Sequence, residues 1–493
     1  MNTKRFLCAL LAALMIAPLA SCGNAAESTA DETADTTAVE TEKETTEEEA
    51  RLATPDDLPE KDYKGEDFTV LCYGHTSWLM TTEELNGDVV NDAIYNRNNN
   101  VSERFNSNII FDVAADYGTA SSTVRNAVAA GDDYYQVAAY HFVQMGADLL
   151  TNVFMNLNDV PYINFEKPWW NDTTVKDMTY KGVTFIGVGY IGLSNVNSAY
   201  CLFYNKGLAE EYSLPNVYEV VNEGKWTKDK MKEFAEVVHQ DVNGDGTKDT
   251  GDRYGMAFDI NGACDQFLWF FGKKIYTSQE DGTYKDTYYD EKLVDLVGWL
   301  YDFAFNGNHT YTEASWGVAY NMFSQGNTLM VVQGIGGGLS YRDLDLDYAI
   351  IPAPKWDETQ DKYITVSDGS AESIAVVTTV QDVERAGIIT EALSAEGWKT
   401  MLPAFYDTAL KYKGTRDEES VKILDMIVEN VIFDFGYVFG GTSSSTGAGF
   451  WIHKIFQSGS PDITSFYESR RQAFEDNLNK VIVAYEEYLK TNG

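Results

Sequence analysis

The chain has 493 residues, which is too long for one ordinary domain and predicts roughly two or three. Apolar residues make up 44% of it and aromatic residues 13%, so the chain can bury a large core and is not disordered as a whole. Its 76 acidic and 37 basic residues give a formal net charge of −39, which disfavours binding to nucleic acids and to anionic lipid headgroups.

The first 22 residues have the pattern of a bacterial lipoprotein signal. Lys4 and Arg5 precede an apolar run over 6–19 that is too short and wrongly flanked for a transmembrane helix. The sequence Leu-Ala-Ser-Cys that ends at Cys22 resembles a lipobox, although an ordinary secretory signal that happens to contain a cysteine is the alternative. We expect residues 1–21 to be removed and Cys22 to be lipidated. This would anchor the protein at the extracellular face of the bacterial cytoplasmic membrane.

Residues 22–62 are predicted to form an acidic, disordered tether. The segment 26–62 contains 14 acidic and three basic residues, and Thr and Ala fill most of the remainder. It cannot bury enough apolar surface to offset its chain entropy, and its like charges extend it. A metal-collecting tail is the alternative function for such a segment.

Three cysteines remain in the body of the chain, Cys72, Cys201 and Cys264. Their number is odd and they are far apart, so neither a disulfide framework nor a structural zinc site is expected. We expect them to be buried free thiols.

From residue 63 onward, strands and helices are predicted to alternate. The predicted strands cover 68–73, 109–113, 136–140, 199–204, 328–332 and 343–351, and the predicted helices cover 88–105, 121–130, 226–239, 291–304, 384–394 and 463–489. This alternation predicts an α/β fold whose parallel-type sheet has helices on both faces.

In such sheets, ligands bind beyond the carboxyl ends of the strands. His75, Ser77 and Trp78 follow the first predicted strand, and Tyr140 and His141 close the third. These five residues are therefore candidates for ligand binding.

Residues 241–252 match the spacing of a calcium-binding loop, in which oxygen ligands at alternate positions wrap one hard cation. The predicted ligands are Asp241, Asn243, Asp245, Thr247, Asp249 and Asp252. Position 12 is Asp252 where Glu is usual, and its shorter side chain weakens a bidentate contact. An Asp/Asn/Gly surface turn is the alternative. The next segment resembles a strand, so a bound calcium ion would be structural.

Tryptophans and glycines mark further candidate positions. Trp78, Trp169, Trp170, Trp316 and Trp451 lie in loops or at element ends, where their rings can stack on the apolar faces of sugars. For any single tryptophan, packing in the core is the competing interpretation. The glycine-rich stretch 187–192, which contains Tyr190, favours a crossing or hinge over a dinucleotide site, and Gly336 lies in a second such stretch.

Several short segments, in order along the chain, resemble a known family. They are VNDAIYNR at 90–97, ERF at 103–105, KPWW at 167–170, YKG at 180–182, FYNK at 203–206, EGKWT at 223–227, DRYG at 252–255, IPAPK at 351–355 and LKYKGTRD at 410–417. Together with the lipobox, they resemble extracellular solute-binding lipoproteins of ABC importers, in the carbohydrate-binding, maltose-binding-protein-like family.

The resemblance implies a two-lobe periplasmic-binding-protein-like fold with a hinge and an interlobe cleft. It implies an N-terminal lobe of 63–188 plus 368–402 and a C-terminal lobe of 189–367 plus 403–493. The lobes would be joined by crossing strands near 187–195, 367–373 and 402–405.

The resemblance also implies what the protein does. It would capture a small solute, an oligosaccharide or other carbohydrate, and deliver it as a monomer to the permease subunits of an ABC importer, without catalysing a reaction. The family's ligand positions carry over to 74–78, to 140–141 and to Trp451. At 140–141 this chain has Tyr and His where maltose-binding protein has a tryptophan, so the resemblance does not identify the sugar. The alternatives are a surface glycan hydrolase or lyase, a binding protein for a polyamine or peptide, and an adhesin.

Overall fold

The computed structural model describes residues 46–315, 317–341, 344–410, 418–441 and 443–492. The predicted signal, Cys22 and Trp316 lie outside these ranges. The chain has two compact units, residues 1–53 and residues 54–493.

The described part of the first unit is the helix α1, Glu47–Ala53. Thr46 and Glu49 form a reciprocal capping box at its start. The Thr46 Oγ1 atom accepts a hydrogen bond from the Glu49 N–H (3.1 Å), and the Thr46 N–H donates to the Glu49 carboxylate (3.0 Å). This local helix lies within the segment predicted to be a disordered tether.

Strands form the two sheets at the centre of the second unit. The strands are β1 Glu66–Tyr73, β2 Ser107–Ala114, β3 Val137–His141, β4 Tyr200–Asn205, β5 Tyr254–Asp259, β6 Tyr276–Ser278, β7 Tyr284–Asp286, β8 Thr310–Glu313, β9 Thr328–Gly334, β10 Tyr348–Ile351, β11 Thr365–Val366, β12 Glu372–Val376 and β13 Val431–Ile432.

Helices cover the sheets and continue to the C-terminus. They are α2 Val89–Phe105, α3 Tyr117–Ala130, α4 Phe142–Leu149, α5 Asp172–Met178, α6 Ser194–Asn197, α7 Lys206–Glu211, α8 Val217–Asn222, α9 Lys228–Val238, α10 Phe267–Phe270, α11 Glu291–Tyr301, α12 Val318–Ser324, α13 Gly337–Tyr341, α14 Val383–Glu396, α15 Leu402–Leu410, α16 Glu418–Glu429, α17 Phe435–Gly440, α18 Trp451–Gln457, α19 Ile463–Glu468 and α20 Arg471–Asn492. Short 3-10 turns occupy Ser77–Leu79, Leu157–Asp159 and Ala448–Phe450, and π-helical turns occupy Asp302–Asn306 and Gly397–Met401.

The first sheet has the strand order β12-β3-β1-β2. The strand β1 is parallel to both β2 and β3, while β12 returns from far along the chain and pairs antiparallel with β3. Residues 68–73 of β1 are all buried, which is typical of a parallel strand covered on both faces. The carboxyl ends of β1 and β3 therefore lie at the same edge of this sheet.

The second sheet has the strand order β10-β4-β9-β5-β8. Here β5 is parallel to β8 and to β9, and β4 is antiparallel to β9 and β10. The carboxyl ends of β5, β8 and β9 consequently share one edge with the beginning of β4. The α/β class and the two-lobe architecture predicted from the sequence are confirmed.

The chain passes between the two sheets at several places. Gly187 and Ile374 exchange two backbone hydrogen bonds (2.9 and 2.8 Å), so the segment before β4 runs beside β12. The Asp368 N–H donates to the Ser198 carbonyl (3.0 Å), which ties the return segment to the beginning of β4. The predicted third crossing at 402–405 is a helix rather than a strand, because it lies at the start of α15.

Residues 54–62 belong to the folded unit, although the sequence assigned them to the tether. Arg104 forms an ion pair with Asp56, Lys167 pairs with Asp57 (2.5 Å) and Lys61 pairs with Glu384 (3.1 Å). The folded unit therefore begins before the predicted boundary at residue 63. Charged residues that the sequence assigned to the solvated tether form ion pairs with residues of the folded unit.

Two further differences concern element ends. The predicted helix 463–489 is two helices, α19 and α20, separated at Ser469 and Arg470. The predicted strand 343–351 begins only at Tyr348. Across the described part of the chain, the structure shows no helix that is both long and apolar enough to cross a membrane.

Candidate functional site

Aromatic and imidazole rings gather at the carboxyl ends of β1 and β3. The ring of Tyr73 lies 6.1 Å from that of His75 and 6.3 Å from that of His141, and the Tyr117 ring lies 4.5 Å from His141. Tyr117 begins α3 and is 45% exposed. His75 is also exposed. The parallel pairing of β1 and β3 brings these residues together, as the sequence predicted for His75 and His141.

His141 caps α4, since its Nδ1 atom accepts a hydrogen bond from the Gln144 N–H (3.3 Å). Burial lowers the pKa of His141 to about 4, and the nearby carboxylate of Asp368 opposes this shift. At neutral pH the imidazole is therefore uncharged. It offers this edge of the sheet a polar ring without a positive charge.

Asp368 lies on the segment that returns to the first sheet. Its Oδ2 atom accepts a hydrogen bond from the Tyr200 hydroxyl (2.9 Å), and its Oδ1 atom accepts one from the Ser370 N–H (2.9 Å). Its negative charge raises the pKa values of His141, Tyr200 and Tyr320. The half-buried carboxylate therefore lies where the segment that returns to the first sheet meets the beginning of β4.

Two more carboxylates lie at the edge of the second sheet where β5 and β8 end. Asp259 ends β5 and Glu313 ends β8, and the two residues are register partners in neighbouring parallel strands. Asp259 is only 2% exposed. Its Oδ1 atom accepts a hydrogen bond from the Asn261 N–H (2.7 Å), whereas its Oδ2 atom has no hydrogen-bond partner among the described residues. Burial raises the pKa of Asp259, with a further contribution from Glu313, while Asn261 and His453 oppose the shift.

Tyr320, on α12, lies within the electrostatic reach of two of these carboxylates. Burial, followed by the charges of Asp259 and Asp368, raises the pKa of Tyr320 to about 12. Nearby, His453 is fixed by Asp265, because its Nδ1 atom lies 2.5 Å from the Asp265 Oδ2 atom and its N–H donates to Oδ1 (2.9 Å). The end of β5 therefore has a phenol, an imidazole and further carboxylates near it.

A cavity of about 420 Å³ opens between the two lobes next to the aromatic edge. It is lined by Trp78, Thr81, Thr82, Asp88, Val90 and Asn91 from the first lobe and by Leu339 and Ser340 from α13. Trp78 is 50% exposed and presents an indole beside hydroxyl and amide groups. The surface suits a ligand with both apolar and hydroxylated faces.

The structure thus gathers four predicted ligand residues, His75, Ser77, Trp78 and His141, at one edge. Gly336 lies in the loop before α13, but it packs against the hinge. Its N–H donates to the Asn197 carbonyl (2.9 Å), and a Cβ atom there would lie 2.0 Å from the Asn197 Oδ1 atom. Trp316 lies outside the described residues.

Two predicted ligand residues, Trp169 and Trp170, are wrongly assigned. Both side chains are buried, and their indole N–H groups donate to the same carboxylate, that of Glu391, at 2.8 Å each. Trp170 also packs against Gly187 and Gly189 of the first crossing. These tryptophans fix the crossing segment and leave no ring face for a ligand.

Two other predicted ligand residues, Tyr140 and Trp451, lie in the core. The Tyr140 hydroxyl donates to the buried Asp148 carboxylate (2.6 Å). Trp451 is 0% exposed and packs against Tyr288, Phe466 and Phe474. Both predictions of ligand contact are therefore wrong, since neighbouring helices cover these rings.

Tyr190 lies in the first crossing and is half-buried. Its carbonyl accepts a hydrogen bond from the guanidinium of Arg97 (3.3 Å), which also donates to the carbonyls of Met80, Ile191 and Leu393. The backbone of Tyr190 thus serves to anchor the crossing.

Sequence reasoning missed much of the site. The missed residues are Tyr73, Tyr117, Tyr200, Asp259, Glu313, Tyr320 and Asp368. The rule that ligands bind at carboxyl ends of strands points to Asp259 and Glu313 once β5 and β8 are known. Asp368 has no comparable local signal, because its position depends on how the chain returns between the lobes.

The predicted calcium loop folds as a series of tight turns. The two carboxylate oxygens of Asp241 accept hydrogen bonds from the N–H groups of Gly244 (2.7 Å) and Gly246 (2.9 Å), and Asp252 accepts one from Val242 (3.0 Å). In the parts of the chain that the structure describes, no group of three or more His, Cys, Asp or Glu residues is placed to hold a metal ion. Calcium binding stays a prediction.

Comparison with solved structures shows a shared fold. Over 85% of this chain and 99% of the other, the chain matches an ABC substrate-binding protein from Listeria monocytogenes, solved with cycloalternan (15% identity, TM-score 0.53). It matches a cyclo/maltodextrin-binding protein solved with maltotetraose over 87% and 99% (12% identity, TM-score 0.55). A solute-binding protein from Agrobacterium radiobacter, solved with ribitol, matches over 84% and 100% (14% identity, TM-score 0.53).

No curated protein shows significant sequence similarity to this chain. The sequence profile of the bacterial extracellular solute-binding proteins, in contrast, matches residues 103–402, which is more than half of its length. These residues include Tyr117, His141 and Asp368 of the candidate site. The chain therefore belongs to the bacterial extracellular solute-binding protein family.

Proposed function

We propose that the protein captures a carbohydrate in the cleft between its lobes and delivers it to the permease of an ABC importer. One observation carries this proposal. A cavity of about 420 Å³ between the lobes is lined by the half-exposed indole of Trp78, by the hydroxyls of Thr81 and Thr82, and by Leu339 and Ser340 from α13. Closure of two lobes about crossing segments is the usual way in which such a cleft encloses its ligand.

The side chains of the cleft match the chemistry of a sugar. A sugar ring has apolar C–H faces, which stack on aromatic planes such as those of Trp78 and Tyr117. Its hydroxyl groups both donate and accept hydrogen bonds. Carboxylates such as Asp368 accept them, and uncharged His141 and the hydroxyls of Thr81 and Thr82 add partners. No bond of the solute is made or broken in this role.

Proteins of the same fold support the substrate class. The solved structures that match this chain hold cycloalternan, maltotetraose and ribitol, all of which are polyhydroxylated. We propose the same general class of solute for this cleft and leave the particular sugar to experiment.

Binding tests the proposal directly. Isothermal titration of the mature chain against mono- and oligosaccharides is expected to give saturable binding. The Tyr200→Phe variant lacks the hydroxyl that donates a hydrogen bond to Asp368. It should therefore bind the sugar several-fold more weakly. Tyr212→Phe is the matched control, since its hydroxyl bonds to Gln240 on the surface. Failure of every sugar to bind would contradict the proposal, as would release of reducing ends from a glycan, which would indicate a hydrolase or lyase.

We also propose that lipid on Cys22 holds the protein at the extracellular face of the membrane. The lipobox supports this, and the acidic segment after it would separate the folded unit from an anionic surface. In cells fed radiolabelled palmitate, the wild type should take up label and Cys22→Ala should not. Equal labelling of the two would contradict the anchor.

A further inference from the structure

The guanidinium of Arg97 joins three segments next to the hinge. Arg97 lies on α2 and is 0% exposed. Its Nη1 atom donates to the carbonyls of Tyr190 (3.3 Å) and Leu393 (3.1 Å), and its Nη2 atom donates to those of Met80 (2.9 Å) and Ile191 (2.7 Å). Each of these nitrogens carries two N–H groups, so the four carbonyls use all of them. The side chain therefore fixes the segment before α2, the first crossing and α14 to one another.

The segment before α2 also carries part of the cavity between the lobes. Trp78 and Thr81 line the cavity of about 420 Å³ and lie on either side of Met80 in the sequence. The Asn98 side chain donates to the Met80 carbonyl as well (3.3 Å), so two side chains of α2 hold this point of the backbone. A ligand that displaces the exposed indole of Trp78 therefore acts on backbone that Arg97 holds.

The first crossing is tied in turn to the second. The Leu193 N–H donates to the Leu79 carbonyl (3.2 Å), which is a direct bond between the cavity segment and the crossing. The Glu372 N–H donates to the Ser194 Oγ atom (2.8 Å), and the Asn195 side chain donates to the Glu372 carbonyl (2.6 Å). Because Glu372 begins β12, hydrogen bonds run from the cavity to both crossings.

Close packing makes this connection stiff. A Cβ atom on Gly192, in the first crossing, would clash with the Glu372 carboxylate and would lie 3.2 Å from the Met80 Cγ atom. Packed interiors leave little room for one segment to move without its neighbours. Arginine suits the connection because its planar fork reaches several acceptors at once, whereas lysine has three donors on a single nitrogen.

We propose that Arg97 is a positioning residue that couples solute contact at Trp78 to movement of the first crossing. A solute that stacks on Trp78 shifts the turn that precedes Met80, and the guanidinium transmits the shift to the carbonyls of Tyr190 and Ile191, where the lobes hinge. The inference rests on the proposed carbohydrate-binding function. It adds the residue through which occupation of the cavity favours closure, and by reciprocity closure holds Trp78 against the solute.

Hydrogen exchange of the ligand-free chain tests the connection without any sugar. Arg97→Lys should speed exchange of the amides in 77–82 and in 190–193 together, by about tenfold or more, because both segments lose their common anchor. Arg104→Lys is the matched control, since Arg104 lies on the same helix and pairs with Asp56 near the surface. Faster exchange in 190–193 with no change in 77–82 would overturn the proposal.

Closure is measured with maltotetraose as the probe. Fluorescence energy transfer between labels on Asn126→Cys in α3 and Asp295→Cys in α11 reports the approach of the lobes, because both positions are exposed and Cys72, Cys201 and Cys264 are buried. At saturating maltotetraose, Arg97→Lys should show about half the wild-type change or less, with a Kd raised about fivefold or more. A purely structural role of Arg97 would leave the change at saturation intact.

A double-mutant cycle tests whether Arg97 acts through Trp78. The loss of maltotetraose affinity in the double variant of Arg97→Lys and Trp78→Ala should be at least about threefold smaller than the product of the two single losses. Arg104→Lys and Trp78→Ala should combine as a simple product. Losses that multiply in both pairs would overturn the coupling.

Trp78→Ala alone serves if Arg97→Lys does not fold, because Trp78 is half-exposed. Maltotetraose should slow exchange in 190–193 of the wild type and should slow it much less in Trp78→Ala at equal occupancy. Equal slowing in the two would overturn the inference and leave carbohydrate binding intact. If maltotetraose does not bind the wild type, the failure concerns the proposed sugar, and exchange in the ligand-free Arg97 variant still decides whether the two segments share an anchor.

Discussion

Glu372, at the start of β12, is a fully buried carboxyl in the hinge. Its Oε1 atom accepts a hydrogen bond from the Ser194 N–H (3.2 Å), and its Oε2 atom has no partner among the described residues. Burial raises its pKa from 4.5 to about 7, while backbone N–H groups and the guanidinium of Arg97 oppose the shift. The crossing segments thus close around a group that titrates near neutrality.

The sign of the resulting pH dependence follows from proton binding. Between pH 4.5 and 7, Glu372 is protonated in the folded protein and ionised in the unfolded chain, so the folded state binds more protons. Its contribution to the free energy of unfolding is full below pH 4.5 and is lost as the pH rises through about 7. The shift corresponds to roughly 3 kcal/mol.

Glu372→Gln is expected to flatten the fall in unfolding free energy between pH 5 and 8. Urea unfolding at pH 5, 6, 7 and 8 measures the slope for the wild type and the variant. Glu384→Gln is the control, because Glu384 is 46% exposed and pairs with Lys61 at the surface. Equal slopes in the wild type and Glu372→Gln would show that Glu372 is ionised in the folded protein.

Glu391 is a buried carboxylate that holds two tryptophans far from it in the sequence. Its two oxygens accept the indole N–H groups of Trp169 and Trp170, so Glu391→Gln turns one acceptor into a donor facing another donor. At pH 8 we expect a loss of about 1–3 kcal/mol in unfolding free energy, measured by urea unfolding with tryptophan emission. A loss no larger than that of Glu384→Gln would contradict the arrangement. The sequence showed two tryptophans in a loop but could not show their acceptor, which is 221 residues further along.

At the scale of elements, close packing of β5 on α9 requires a glycine. A Cβ atom on Gly255 would lie 2.0 Å from the Ala235 Cα atom, so Gly255→Ala must push the strand and helix apart. We expect a loss of roughly 1–3 kcal/mol or more in unfolding free energy and weaker solute binding, because β5 carries Asp259. Gly298→Ala in α11 meets nothing within 4 Å and should stabilise the protein by about 0.5–1 kcal/mol. Similar effects of the two substitutions on urea unfolding would contradict the tight packing.

The elements that sequence alone predicts well are those with local signals at their ends. The helix predicted over 88–105 begins at Val89, because the Asp88 side chain accepts from the N–H groups of Val90 and Asn91. It ends where Asn106 adopts a left-handed conformation (φ 47°). The long C-terminal helix was predicted through Ser469 and Arg470, since its apolar stripe continues past the break. The spacing of apolar residues predicts which face of a helix is buried. It does not predict that the helix breaks where the element it packs against changes.

The loop of residues 241–252 folds as tight turns whose N–H groups donate to Asp241 and Asp252, and calcium binding by it is a prediction to be measured. We expect 1 mM Ca²⁺ to raise the thermal midpoint relative to EDTA, because bound calcium stabilises the folded state by mass action. Asp245→Ala should abolish this difference. Asp281→Ala, in an exposed turn outside the loop, should leave it unchanged. Identical thermal midpoints of the wild type with Ca²⁺ and with EDTA would contradict calcium binding by this loop.

At the scale of the whole molecule, the part of the candidate site in the first sheet was predictable and the part in the second sheet was not. His75, Trp78 and His141 follow strands with clear apolar runs, so the carboxyl-end rule finds them. Glu313 belongs to β8, which was not predicted from the sequence, and Asp368 reaches Tyr200 only after the chain has built the second sheet. The site therefore depends on long-range topology that local patterns do not encode.

The acidic charge belongs mainly to the folded body. Without the two basic residues of the signal and the excess of 11 acidic residues in 22–62, residues 63–493 carry −30 of the formal charge. Like charges held on a compact body repel one another more strongly than on an unfolded chain, so screening by salt should favour the folded state. We expect the thermal midpoint to rise by a few degrees between about 10 and 300 mM NaCl at pH 7.5.

The same salt titration near pH 4.3, the isoelectric point of the sequence, provides the control. There the net charge is close to zero, and the midpoint should change little, because the carboxylates that repel one another at pH 7.5 are partly protonated. A midpoint that rises equally at both pH values would assign the effect to salting-out of apolar surface instead of to charge.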